Sequence, residues 1–134
     1  MTPLLDTHVL LWWLSGGLRL SAAASAAIDA ADRVLVSPIS CWEIGMLARA
    51  GRIELNRPIA SWIAMVFDDR RSGVAQLSPE AAGWAGALDD ARFQGDPADR
   101  LIYATALEHR IPLVTKDERI REFAAIAGDV HVVW

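Results

Sequence analysis

Short apolar runs alternate along this chain with longer stretches in which apolar residues return every three or four positions. The runs are Pro3-Leu4-Leu5, Val34–Val36, Val74–Leu77, Leu113-Val114 and Val130–Val133. Brief apolar segments rich in β-branched residues and bounded by turn signals read as buried strands. The longer stretches read as helices, several of them with a start signal. Thr7 is placed to cap a helix over His8–Ser15, with Leu10, Leu11 and Leu14 on its core face, and Gly16-Gly17 stops it. Ser21 opens an alanine-rich helix through Ala31. Ser37-Pro38 starts a helix to about Ala50 that presents Ile39, Trp42, Met46 and Leu47 to the core. Pro58 opens a helix with Ile59, Trp62, Ile63, Val66 and Phe67 on one side, after a brief extended piece at Ile53–Leu55. Ser78-Pro79 starts a helix to about Asp90, Asp96-Pro97 starts one ending at His109-Arg110, and a last helix covers Glu118–Ala127. Helices alternating with buried strands predict an α/β fold with a parallel sheet covered on both faces.

In such a sheet the loops leaving the carboxyl ends of the strands line one crevice. Asp6, Glu43 and Asp117 each lie on the exit side of a predicted strand, and Asp99 occupies the first turn of the helix that feeds Leu113-Val114. All four carboxylates therefore converge on one edge if the central strands are parallel. Three of the four acids also have an ordinary structural explanation. Asp6 and Asp117 stand where helix caps stand, and Asp96 with Asp99 has the three-residue spacing of a capping box. Glu43 is the exception, because an acid between Trp42 and Ile44 needs a partner if it is buried.

Composition narrows the class. A length of 134 residues with 53% hydrophobic and 22% charged positions predicts one packed domain over 1–134. The six-residue run Val9–Leu14 is far short of the ~20 apolar residues of a membrane span. Nothing at the N-terminus has the basic lead of a signal peptide, and the single Cys41 forms no internal disulfide, so a cytoplasmic protein is expected. The formal charge of −4 has the wrong sign for a simple nucleic-acid binder. With the four convergent acids set aside, however, the 13 remaining acids balance the 13 basic residues.

Four carboxylates within a few ångströms raise one another's pKa unless a cation joins them. Mg²⁺ suits such a set, because it takes carboxylate, water and phosphate oxygens. One or two such ions, Mg²⁺ or Mn²⁺, would activate water and stabilise the leaving oxygen of a phosphodiester. Thr7, Ser37 and Thr115 supply hydroxyl groups beside the acids, and Arg49, Arg52, Arg100, Lys116 and Arg119 are candidates for phosphate contacts. His8, His109 and His131 share no metal-binding spacing, and there is no phosphate-cradling glycine loop.

The segments LLDTHVLLW, SPISCWEIGML, DPADRLIYATA and LVTKDERI, in that order, resemble PIN-domain ribonucleases. More closely, they resemble VapC-type toxins of bacterial type II toxin–antitoxin modules, and the likeness runs from about Leu4 to the C-terminus. It implies a three-layer α/β/α sandwich on a central parallel five-stranded sheet. It also implies metal-dependent endonuclease activity on single-stranded or structured RNA of the tRNA or rRNA class. The family's metal-binding and catalytic acids fall on Asp6, Glu43, Asp99 and Asp117, with Thr7, Asp96 and Thr115 in support. A homodimer and a cognate VapB-type antitoxin, whose tail can direct an Arg or Lys into the acids, are implied partners. Two other readings compete: a non-catalytic acidic pocket that docks a basic tail, and a metal-dependent DNA nuclease or phosphatase using the same acids.

Overall fold

The computed structural model describes residues 1–134. Five strands, β1 (Leu4–Leu5), β2 (Val34–Val36), β3 (Ser72–Val74), β4 (Leu113–Val114) and β5 (Val132–Val133), form one sheet in the order β3-β2-β1-β4-β5. Every pairing is parallel. Seven helices connect them: α1 (Thr7–Leu14), α2 (Ala22–Ala30), α3 (Pro38–Arg49), α4 (Ile59–Asp68), α5 (Pro79–Ala87), α6 (Pro97–His109) and α7 (Glu118–Ala127). No helix is long and apolar enough to cross a membrane.

The chain starts at the centre of the sheet, builds outward through β2 and β3, then returns to place β4 on the other side of β1. Strand order reverses there, so a crevice opens at the carboxyl ends of β1 and β4. Leu4 pairs with Leu113 and Leu5 with Val114. Because successive strand residues face opposite ways, this one register feeds two cores. Leu4 and Leu113 pack with Ile102, Tyr103, Ile120 and Phe123 from α6 and α7. Leu5 and Val114 pack with Val9, Ile28, Ile44 and Trp62 from α1 to α4. The sheet is thus the middle of three layers, as expected.

Several local expectations need correction. The third strand is Ser72–Val74, upstream of the apolar run Val74–Leu77, because Ser72, Gly73 and Val74 are the residues in register with Val34, Leu35 and Val36. Only one further ladder bond, Ala75 N–H to the Val36 carbonyl at 2.9 Å, extends it. The Arg33 guanidinium lies over Gly73, in the space a Cβ would take. Ile53–Leu55 forms no strand and instead packs Ile53 and Leu55 against the second core. Trp42 is 59% exposed, and α3 turns Ser40 and Ile44 inward in its place. Leu14, expected on the core face of α1, is exposed, while Val9 and Leu10 are fully buried. The cap of α1 is Asp6, not Thr7.

Candidate functional site

Each acid reaches the crevice because a local backbone rule puts it there. Asp6 ends β1 and caps α1: its Oδ1 accepts from Thr7 N–H at 2.7 Å. Its Oδ2 accepts from the Thr115 hydroxyl at 2.6 Å, a bond between the exits of two neighbouring strands. The same Thr115 Oγ1 accepts from Asp117 N–H at 3.1 Å, which fixes the loop after β4. Asp117 caps α7, with Oδ1 accepting from Ile120 N–H at 3.0 Å. Glu43 comes in from α3, where the Thr7 hydroxyl donates to its Oε1 at 2.5 Å and shares a second hydrogen bond with Ser40 Oγ at 3.0 Å. At the start of α6, Asp96 accepts from Asp99 N–H at 3.0 Å and Asp99 Oδ2 accepts from Asp96 N–H at 3.3 Å. That reciprocal pair is a capping box.

The caps and the spatial convergence of the acids therefore coexist. A cap occupies one oxygen of Asp99 and one of Asp117, and the carboxylates still line one cleft of about 450 Å³. Asp6, Glu43, Asp96, Asp99, Asp117 and Glu118 supply six acids to its wall, against Lys116, Arg121 and His8. Their proximity is legible in their electrostatics. Burial pushes the Asp6 carboxyl above its ordinary value, opposed by the hydrogen bonds from Thr115 and Thr7. Burial likewise raises Glu43, the Thr7 bond opposes it, and the charges of Asp6 and Asp96 raise it further. Asp99 is pushed up to about 8, by burial first and then by Asp96, Asp6 and Asp117. A cation placed among Asp6, Glu43 and Asp99 would offset this cost of ionising them.

No three of these carboxylates, as placed, stand together as a group that could hold one metal ion. Mg²⁺ and Mn²⁺ would not need such a group, because Mg²⁺ keeps several waters and binds through one or two carboxylates. Donors that are mostly carboxylate oxygens, with no cysteine in the cleft lining, would suit the same hard cations.

A model of the PIN domain matches residues 4–126 of this sequence. The chain belongs to the PIN-domain family. Ribonuclease VapC22 of Mycobacterium tuberculosis is 48% identical to this chain over 120 residues, which is 90% of each chain. Among solved structures, a toxin–antitoxin complex from Klebsiella pneumoniae matches with a TM-score of 0.65 at 25% identity, over 98% of this chain and 96% of that one. VapBC-1 from nontypeable Haemophilus influenzae matches with a TM-score of 0.70 over 98% of this chain and 96% of that one. At 17% identity this second likeness speaks for the PIN fold alone.

The PIN-domain crevice gathers all four expected acids together with Asp96, and sets Thr7 and Thr115 as hydrogen-bond supports beneath them. Sequence reasoning missed Ser40, fully buried against Thr7, although its position three residues before Glu43 on one helix face was a usable signal. It also missed Trp12 and Arg121 in the cleft wall. Among the expected phosphate contacts, Lys116 lines the cleft. Arg100 does not: its guanidinium donates to the Leu88 and Phe93 carbonyls and pairs with Asp90, clamping the loop before α6.

Proposed function

We propose that this protein is a VapC-type endoribonuclease toxin. It hydrolyses phosphodiester bonds of single-stranded or structured RNA with Mg²⁺ or Mn²⁺, and a cognate VapB-type antitoxin holds it inactive. The observation that carries the reading is the convergence of Asp6, Glu43, Asp99 and Asp117 on one open cleft, in a chain 48% identical to a named ribonuclease. One or two ions held by these carboxylates would supply an activated water and charge neutralisation at the scissile phosphate.

The chain's own residues do the rest. Asp6, fixed by Thr7 N–H and Thr115 Oγ1, presents both oxygens in one orientation without side-chain rearrangement. Glu43 is held through Thr7, which ties the ligand from α3 to the start of α1. Asp99 gives up its proton as the cleft is loaded, since ligating carboxylates must be ionised. Lys116 and Arg121 at the rim meet substrate phosphates that six acids would otherwise repel. Only one histidine, His8, lines the cleft, so a histidine pair that would drive attack by a 2′-hydroxyl is missing, and hydrolysis by water is the chemistry supported.

The antitoxin part of the proposal rests on the same charge pattern, which accepts an Arg or Lys from a partner tail, and on structural likeness to toxin–antitoxin complexes. A homodimer is proposed with it. The test is cleavage by purified protein of RNA, single-stranded DNA and a phosphomonoester, with Mg²⁺, with Mn²⁺ and with a chelator. RNA alone should be cut, and only with metal. Asp6→Asn and Asp99→Asn should each lower the rate on the order of 100-fold or more. Undiminished cleavage by both variants would remove the site assignment.

A further inference from the structure

The cleft that holds the acids has one apolar wall residue, Trp12. Its indole is also a wall of a second cleft alongside, where His8 is shared and Arg19 and Arg52 stand on the rim. Trp12 is half-buried and braced by rings on two sides: His8 at 5.8 Å and Trp134 at 5.9 Å between centroids. The Lys116 ammonium lies 5.8 Å from its ring centroid. A braced aromatic therefore separates two clefts, with a cation at the ring on the acidic side and two arginines beyond it.

We propose that Trp12 is a base-stacking position of this site: a nucleobase beside the scissile phosphate stacks on its indole as the strand passes from the acidic cleft toward Arg19 and Arg52. This rests on the ribonuclease reading above and adds to it a residue that positions the substrate. Single-stranded nucleic acid is held by this combination, aromatic faces for the bases and cations for the backbone. The acids can hold metal and phosphate but offer no face to a base. Of that lining only the indole of Trp12 and the smaller imidazole of His8 do, and the bracing of Trp12 means little side-chain freedom is lost on binding.

The experiment pairs Trp12→Ala and Trp12→Phe with single-stranded RNA oligonucleotides carrying one abasic ribose, scanned across the cleavage site, in Mg²⁺. At one position the missing base should lower wild-type kcat/KM on the order of tenfold, the contribution of one stacked base. The same abasic substrate should cost Trp12→Ala nothing further, and Trp12→Phe should recover most of the wild-type discrimination. A variant that is merely less stable slows every substrate alike, and melting curves of both variants record that separately. Equal abasic penalties in wild type and Trp12→Ala overturn the proposal, as does a Trp12→Ala enzyme that cleaves intact RNA normally and loses only its hold on a protein partner. If the wild type cuts no RNA at all, it is the ribonuclease reading that fails.

Discussion

Asp99→Asn isolates the electrostatic cost of assembling the acids without their cation. In the folded, metal-free protein the Asp99 carboxyl is pushed up to about 8, through burial and the neighbouring Asp96, Asp6 and Asp117. In the unfolded chain it titrates near ~3.9. Between these values the native state keeps a proton that the unfolded state has lost, so stability falls as pH rises and the full loss is reached above about pH 8. A difference of ~4 pKa units caps the effect at ~5–6 kcal/mol. Asp99 is half-buried at an open cleft, where water screens it and its neighbours share the proton, so about 1–3 kcal/mol is the realistic size. Asparagine cannot ionise, yet its carbonyl still accepts the N–H of the Asp96 capping box. Urea or thermal unfolding in a chelator should therefore show Asp99→Asn more stable than wild type at about pH 8.5, by roughly 2–4 °C for each kcal/mol, with the gap narrowing toward about pH 6. Adding Mg²⁺ should stabilise the wild type and not the variant. A gap that is the same at both pH values, or one that widens as pH falls, would refute the electrostatic reasoning.

Two further perturbations probe the supports. Thr115→Val removes a buried donor to Asp6 and the acceptor for Asp117 N–H, and should cost about 1–3 kcal/mol. Losing a donor to the charged form also raises Asp6 further, so the acid limb of the pH–rate profile should move to higher pH, and an unmoved limb counts against the role of this bond. Gly95→Ala places a Cβ on Phe93 Cε1 beside Asp99, and Phe93 is 1% exposed and locked edge-on against Tyr103 and Phe123. It should cost about 1–3 kcal/mol in denaturant melts, whereas Gly73→Ala displaces only the end of the exposed, flexible Arg33 and should cost less. Equal losses would contradict that distinction.

The order of the elements and the identity of the acids were legible in the chain because both depend on local rules. Ser37-Pro38, Ser78-Pro79 and Asp96-Pro97 each start a helix where expected, and Gly128 at φ 71° ends α7 as only a residue tolerant of the left-handed region does readily. Less was legible where tertiary packing outweighs hydrophobicity. Val74–Leu77 looked more strand-like than Ser72–Val74, but strand register is chosen by the partner β2 and by the Arg33 guanidinium over Gly73, neither of which lies in the segment itself. Trp42 looked like core because it is large and apolar, yet the face of α3 that meets α1 carries Ser40 and Glu43, which bond to Thr7.

The local sequence left Asp6, Asp96, Asp99 and Asp117 with two explanations that the fold makes compatible, since each caps a helix through one carboxylate oxygen and all four line one cleft. What no local pattern contains is the return of the chain that seats β4 beside β1. That pairing brings Thr115 to Asp6 across 109 residues of sequence and turns separate caps into one cluster of acids. Helix starts are decided by a few neighbouring residues. Asp99 is pushed up to about 8 by burial first and then by Asp96, Asp6 and Asp117, and of these only Asp96 is a neighbour in sequence; the rest exist only once the chain has folded around the switch point.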